Sequence, residues 1–378
     1  MLEANINEYN NTKKFIWSKS FQNQIPTLKN EHQWLKDIPS QSLQQKCDDL
    51  QQALKMTSSK RAKRSGFPKF KSKQDTTQSF RIPQQIKQIK FTNKQIKIPK
   101  LGWINWTKHR PLEGKVKSVT IKREYDKYFA VVLCELPEHS ICENAVDSDV
   151  VGIDLGIKDF AITSDGEVFN SQKIYQKKQK KLRRQQRQLS KKKKGSKNRE
   201  KARKKLNKTY QKIKNKRSDF THKLSNQITN DYLFVAVEDL NIKGMVKNHK
   251  LAKAISDQGW AMFINQLIYK SKLNGGDTVK IDRFAPSSKS CSNCGNIQPM
   301  PLNIRVFSCN GCGMIMDRDA NAAINIKKWG IDKINRCGTH QIYACGDTNV
   351  GDQAYDWSRY VSEKQEKFLS LDKKPSDL

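Results

Sequence analysis

The hydrophobic positions of this chain hold one period for a stretch and then change it, and each change marks a new kind of element. In "PSQSLQQKCDDLQQALK" the apolar positions Leu43, Cys47, Leu50 and Leu54 recur every three or four residues. That spacing predicts a helix after Pro39, with Ser40 or Ser42 as its cap. Residues 1–75 read as helical and polar. From residue 76 the period shortens: "GKVKSVTIKREYDKYFAVVLCEL" holds two β-rich runs around a polar turn at Glu124–Lys127, the pattern of a hairpin. With "QIKIPKLGWINW" ahead of it, the region predicts a small antiparallel barrel or sheet. Trp103 and Trp106 fit the core of such a barrel better than a base-stacking platform.

Residues 138–148 read as a linker. In "DVVGIDLGIKDFAITSDGEVF" a short apolar strand ends on Asp154, Gly156 permits a tight turn, Phe160–Thr163 forms a second strand, and a turn at Asp165–Gly166 leads into a third. "YLFVAVEDL" is another buried strand, and it ends on Glu238. "AKAISDQGWAMFINQLIYKSKLNG" predicts one amphipathic helix with Trp260, Phe263, Leu267 and Ile268 to one side. "DTVKIDRF" predicts a further strand, and a last helix starts near Asp319. The segment 341–378 is polar and charged.

Charge changes the picture. The formal net charge is +35, from 72 Lys and Arg against 37 Asp and Glu. Self-repulsion on that scale opposes compaction unless a polyanion neutralises it. Residues 173–217 alone hold 23 Lys and Arg against a single acid, Glu200. They read as two helices broken near "KKKKGSKN". A stripe of Leu206, Tyr210, Ile213, Phe220, Leu224 and Ile228 separates the second helix from a merely solvated block of charge. Its basic face suits phosphate binding that is strong, salt-sensitive and blind to sequence. The loop "KRAKRSGFPKFKSK", with Phe67 and Phe70 among basic residues, has the composition of a nucleic-acid contact. Lys243 and Lys247 are further phosphate candidates, whereas His222 and His340 read as surface or packing residues. No apolar run approaches the roughly 18 residues of a membrane span, and the N-terminus has no signal-peptide core. The expectation is a soluble, cytoplasmic, nucleoid-associated protein with no membrane partner.

Two groups of residues carry chemistry. Cys291, Cys294, Cys309 and Cys312 follow C-x2-C-x14-C-x2-C, with Gly295 and Gly313 directly after each pair. Each C-x2-C turn presents two thiolates, and four thiolates close a tetrahedral zinc site. The expected zinc is structural, with no open position for catalysis, in a ribbon that folds on binding metal. Cys47, Cys134, Cys142, Cys337 and Cys345 are expected to be free thiols. The second group is acidic. Asp154 and Glu238 end apolar strands, and Asp319 opens a helix directly after the cysteines. Three such carboxylates suit a pair of Mg2+ ions, which prefer hard oxygen donors and can promote hydrolysis of a phosphodiester.

In chain order, "GIDLGIKDFAITSDG", "VEDLNIKGM", the paired "CSNCG" and "CNGCG", and "DRDANAAINI" resemble the RuvC-I motif, RuvC-II motif, zinc ribbon and RuvC-III motif of the TnpB (OrfB) family. "GFPKFKSK" and "WLKDIPSQSLQQ" resemble segments further upstream, so the likeness spans roughly residues 25–345. It implies an α/β RNase H-like (RuvC) nuclease domain with an inserted zinc ribbon, plus an N-terminal β-barrel (wedge) domain carrying a helical recognition insert. The corresponding division is 1–75 recognition-like segment and basic loop, 76–148 wedge and linker, 149–288 nuclease with a basic helical region at 173–230, 289–316 zinc ribbon, 317–340 C-terminal nuclease helix, and 341–378 tail. The resemblance further implies a guide RNA from a transposon end, a double-stranded DNA target cut beside a short motif, and Asp154, Glu238 and Asp319 as catalytic Mg2+ ligands. The family's D-x-N-A-A pattern selects Asp319 and leaves Asp317 to cap the helix. Family members usually open with a basic strand and a helix that "MLEANINEYNNTKKFIWSKSF" lacks, so the barrel is expected to be short of a strand. The alternatives are a binding protein that does not cut and a strand-transferring transposase. The order Asp, Glu, Asp with a ribbon before the last acid differs from the usual transposase order of Asp, Asp, Glu.

Overall fold

The computed structural model describes residues 1–58, 67–70, 75, 77–83, 88–125, 127–136, 146–301 and 303–341. They fall into two compact units: the described residues of 1–138 together with 203–208, and those of 139–202 and 209–341.

The first unit begins with helices α1 (Leu2–Thr12) and α2 (Ser18–Glu31), a 3-10 turn at Gln33–Asp37, and α3 (Ser40–Ser58). The predicted stripe of α3 faces inward: Cys47 and Leu54 are buried, Leu43 and Leu50 half-buried. The Pro39 carbonyl accepts the N–H groups of Ser42 and Leu43 at 2.9 and 3.4 Å, so the helix starts at Ser40, three residues earlier than a Ser42 cap would allow. Ser42 lies buried inside the helix, and the Ser40 hydroxyl accepts from Lys29 Nζ at 2.7 Å. Of the basic loop, Phe67–Phe70 are described and both rings are exposed; the rest lies outside the described residues.

Strands β1 (Thr77–Pro83), β2 (Lys90–Phe91), β3 (Gln95–Ile98), β4 (Gly102–Asn105), β5 (Lys115–Glu124) and β6 (Lys127–Glu135) follow. They make two antiparallel three-stranded sheets, ordered β1-β5-β6 and β2-β3-β4. The predicted hairpin closes with Glu124 opposite Lys127. Ile82, Ile89, Ile96, Ile98 and Val119 form a common core. Trp106 packs on it: its ring lies 5.8 Å from Phe91, and its Nε1 donates to the Thr92 carbonyl at 3.1 Å. Trp103 does not. It sits on edge strand β4, all of whose residues are exposed, with Lys97 Nζ 6.0 Å from its ring centre.

The second unit is a mixed α/β fold. Strands β7 (Val150–Asp154), β8 (Asp159–Thr163) and β9 (Val168–Asn170) form the expected meander; α4 (Ile174–Ser190) and α5 (Lys197–Asp231) are the two basic helices. Then come β10 (Phe234–Glu238), the short helix α6 (Ile242–Met245), α7 (Ala252–Gln258), α8 (Trp260–Leu273), β11 (Asp277–Ile281), the small strands β12 (Val306–Ser308) and β13 (Ile315–Asp317), and α9 (Arg318–Gln341). The sheet order is β11-β10-β7-β8-β9; β11, β10 and β7 run parallel, and β8 and β9 are antiparallel additions.

Side chains leave the sheet by parity. Val151, Ile153, Val235 and Val237 pack with Leu224, Ile228, Trp260, Phe263 and Leu267 of α5 and α8. Val150 and Phe234 pack with Val279 and Ile334, and Ala236 with Ile281 and Ile326, placing α9 on the opposite face. Strands covered on both faces read as continuous apolar runs, as "VVGI" and "FVAV" do. The single helix expected over residues 252–275 is in fact two. Gly259 takes φ 75°, and Arg217 Cδ lies 2.8 Å from the place a Cβ would occupy there. Of the expected linker, residues 146–148 are described. The tail beyond Gln341, with Cys345, and Cys142 lie outside the described residues, as do the side chains of Cys337 and His340. Cys47 and Cys134 are free thiols. Among the described residues no helix is long and apolar enough to cross a membrane.

Candidate catalytic and metal centres

The acids are placed by strand register. Val237 pairs with Ile153 between parallel β10 and β7, so the next residues, Glu238 and Asp154, leave the sheet side by side at its carboxyl edge. α9 crosses the same edge because β7 carries Gly152. A Cβ there would stand 2.1 Å from the Ala323 carbonyl oxygen and 2.4 Å from the Lys327 nitrogen. Only a bare α-carbon lets the helix lie so close, and that closeness carries Asp319, in its first turn, toward Asp154. Asp154 feels the other two carboxylates. Burial pushes the Asp154 carboxyl up to about 7, and the charges of Glu238 and Asp319 push in the same direction; the Leu155 N–H and the Arg318 guanidinium oppose them.

The seam between cysteines and helix is tied down residue by residue. Asp317 Oδ1 accepts the N–H groups of Asp319 and Ala320 at 2.9 and 3.0 Å, capping α9 as the motif suggests. Asn321 and Asn325, one turn apart and buried, bind the loop that carries the first cysteine pair. Asn321 accepts from Ser292 N at 2.9 Å and donates to the Ser290 carbonyl at 2.7 Å. Asn325 donates to the carbonyls of Ser287 and Ser290 at 2.8 and 2.7 Å. Two residues that sequence reasoning missed also reach the acids. The Ser287 hydroxyl donates to Glu238 Oε1, and Arg305 Nη1 lies 3.3 Å from Asp319 Oδ2. Nothing in the spacing flags either one; both lie in loops near the cysteines, and only folding brings them to the acids.

The four cysteines come together as predicted. Their Sγ atoms all lie within 4.8 Å of one another, with Cys291–Cys312 and Cys294–Cys309 at 3.6 Å. A disulfide would need about 2.05 Å, whereas a tetrahedron of bonds near 2.3 Å has edges of roughly 3.8 Å. The geometry therefore fits one zinc ion. Gly295 and Gly313 take φ 77° and 74°, the left-handed turns each knuckle requires. Backbone N–H groups of Cys312 and Gly311 pull the Cys309 thiol down to about 6, and the Met314 N–H with the Asn293 amide pulls Cys312 down as well. Cys294 moves up to about 12: the Asn296 N–H lowers it, but hydrogen bonding with the Cys312 and Cys309 sulfurs outweighs that pull. Among the described residues this is the cluster of three or more ligand side chains drawn tightly enough for a single ion. The three carboxylates are not so gathered, and Arg305 supplies the positive charge beside Asp319.

The basic helices are anchored at both ends. The Asp257 carboxylate accepts the N–H groups of Tyr175 and Gln176 at the start of α4 and pairs with Arg217 of α5 at 3.1 Å. Where α4 turns into α5, Arg199 Nη1 donates to the carbonyls of Leu189 and Lys192, both at 2.9 Å. Leu206, Ile213, Leu224 and Ile228 of the predicted stripe are buried, and Tyr210 and Phe220 half-buried. Lys243 and Lys247, just past Glu238, are exposed.

Residues 132–249 match a family model for OrfB of IS605, described as a probable transposase, and residues 260–326 match the TNB domain of Cas12f1-like proteins. A Streptomyces pristinaespiralis protein, named as a candidate RNA-guided DNA endonuclease, is 35% identical over 310 residues, covering 81% of this chain and 75% of its own. The Escherichia coli K12 protein InsQ, named likewise, is 35% identical over 337 residues, covering 84% and 79%. A solved complex of Cas12f1 with guide RNA and target DNA aligns with a TM-score of 0.49 at 16% identity, covering 76% of this chain and 70% of that one, too loose a likeness to assign residues.

Proposed function

This chain belongs to the TnpB (OrfB) family, and on that premise we propose that it is an RNA-guided DNA endonuclease hydrolysing phosphodiesters with Mg2+. Its partners are then a guide RNA from the transposon end and a double-stranded DNA target recognised beside a short motif. The sheet of β7–β11 with α5, α8 and α9 is read as an RNase H-like RuvC nuclease (149–288 and 317–340). Residues 289–316 are read as its zinc ribbon, 76–148 as the wedge barrel and 1–75 as the recognition segment.

One observation carries the nuclease reading. Burial drives the Asp154 carboxyl of β7 up to about 7, and Glu238 of β10 and Asp319 of α9 lie near enough for their charges to push it the same way. A protein gains no stability by crowding like charges. The crowding makes sense as a place for cations, and an all-carboxylate donor set suits Mg2+. Bound there, Mg2+ would polarise the scissile phosphate and lower the pKa of an attacking water. The protein's part is positioning. Asp154 and Glu238 hold adjacent strand-end ligand positions, Ser287 orients the Glu238 carboxylate, and Asp317 fixes the first turn of α9 so that Asp319 faces them. Arg305 is placed to leave Asp319 for a phosphate oxygen. The basic faces of α4 and α5 supply sequence-blind attraction for the backbone, leaving sequence to be read by pairing with the guide.

The test is to express the chain with the DNA that flanks its gene, purify it, and sequence the RNA that accompanies it. A discrete RNA ending in variable sequence is expected. A plasmid complementary to that end should be cut with Mg2+ by the wild type and left intact by Asp154→Ala, with DNA binding retained in both. Bulk cellular RNA with no cleavage would overturn the guided reading and favour a charge-driven binder. Joined element–target products would instead point to a transposase.

A further inference from the structure

We propose that Phe284 is a base-stacking residue, seating a nucleobase of the strand that lies across the carboxylate centre; the identity of that strand rests on the nuclease reading above. Phe284 is 87% exposed, more than any other large hydrophobic side chain among the described residues. Exposure alone says little, since lone surface apolar residues are common. What sets this ring apart is the loop that holds it.

Residues 282–287 are pinned on both sides of the ring. Asp282 Oδ1 accepts the Phe284 N–H at 2.7 Å, and the Asp282 carbonyl accepts Ala285 N at 3.2 Å. Arg283 clamps Asp239, the residue after Glu238, through both its carbonyl and its carboxylate. Ala285 packs into the cluster of Ala236, Ile281, Ile326 and Trp329. Ser287 donates to Glu238, and its own carbonyl accepts from Asn325 at 2.8 Å. A mobile loop could fold a phenyl ring away from water. This one keeps it out while fastening its own two ends to the residues that carry the acids.

Position and surroundings name the occupant. Phe284 is three residues from Ser287, at most about 10 Å of chain, so the ring lies within reach of bases next to a phosphate seated at Glu238. Asp282, Arg283 and Lys289, close to it along the chain, are charged and exposed, surroundings that suit a charged polymer better than an apolar protein face. A base needs only one π-face to stack on, and nearby cations suit its phosphates.

The full chain carrying Asp154→Ala is bound to single-stranded DNA containing 5-iodouracil and irradiated. The expected cross-link maps to Phe284 and disappears in Phe284→Leu, which keeps bulk and folding but lacks the π-face. In cleavage of the matched target, Phe284→Ala and Phe284→Leu raise KM about 5- to 150-fold, corresponding to removal of a stack worth roughly 1–3 kcal/mol. Their kcat stays near wild type, and Phe284→Trp restores KM. Cross-links confined to other segments, or unchanged KM in Phe284→Leu, would sink the proposal. If the wild type cuts nothing with Mg2+, the nuclease reading fails, and the cross-link still decides whether this ring stacks on bases.

Discussion

Asp154 shows how one side chain reports on a whole site. Its folded carboxyl titrates near 7, against about 4 for an unstructured aspartate. Between those values the folded chain holds a proton that the unfolded chain has released. The Asp154 contribution to stability without Mg2+ is therefore most favourable below about pH 4 and is lost as pH rises through 7. Asp154→Asn removes that loss. In buffer without added Mg2+ its Tm should exceed that of the wild type by several degrees at pH 8, with the gap closing toward pH 4. Thermal unfolding at several pH values measures this, and parallel curves for the two proteins would mean that the Asp154 carboxyl is not raised in the folded chain. The same titration couples to metal: binding must displace the proton, so half-saturating Mg2+ for cleavage should be lower at pH 8 than at pH 6.

Among the elements, α9 depends on two supports of different kinds. Gly152 admits it to the sheet: a methyl there would strike backbone atoms of Ala323 and Lys327, which cannot rotate away. Gly152→Ala should lower stability by about 1–3 kcal/mol, the usual range for overpacking, and abolish cleavage by lifting Asp319 from Asp154. Denaturant unfolding and plasmid cleavage of the same preparation test both. Asn321 and Asn325 bind α9 to the loop that carries the first cysteine pair, so that loop braces the helix holding Asp319. Cys309→Ser should drop zinc content well below one per chain, expose residues 289–316 to protease and cost cleavage. Full activity in a zinc-free variant would show that α9 holds its place unaided.

For the whole molecule, the excess charge sets how binding responds to salt. Each phosphate neutralised by a lysine or arginine adds about −0.9 to the slope of log affinity against log salt on duplex DNA. Replacing Lys191–Lys194 with serine should flatten that slope by about 0.9 for every phosphate these lysines neutralise, with similar weakening for matched and unmatched DNA. Fluorescence anisotropy across a salt series reads this directly, and weakening restricted to matched targets would assign these lysines to recognition instead.

Much of this was written in local pattern. The cysteine knuckles depend on spacing and on glycines at left-handed turns, the strands on apolar runs between turn residues, and the basic helices on a stripe within a charge block. Such features are decided by a few consecutive residues, so the sequence by itself determined them, together with the acids at the strand ends and the Asp317 cap. Other features required chain segments distant in sequence to meet. Gly259 reads as one tolerable glycine in an apolar helix; it takes a left-handed φ that breaks the helix, and Arg217, 42 positions earlier, fills the space a side chain there would need. Trp103 and Trp106 share one motif, and only the sheet order puts one on an open edge and the other on the core. Ser287 and Arg305 carry no motif; the parallel register of β7 and β10 and the approach of α9 over Gly152 create the place they serve. Tertiary structure alone decided these because each depends on volume, charge or hydrogen-bond partners supplied by another part of the chain, which no local period encodes.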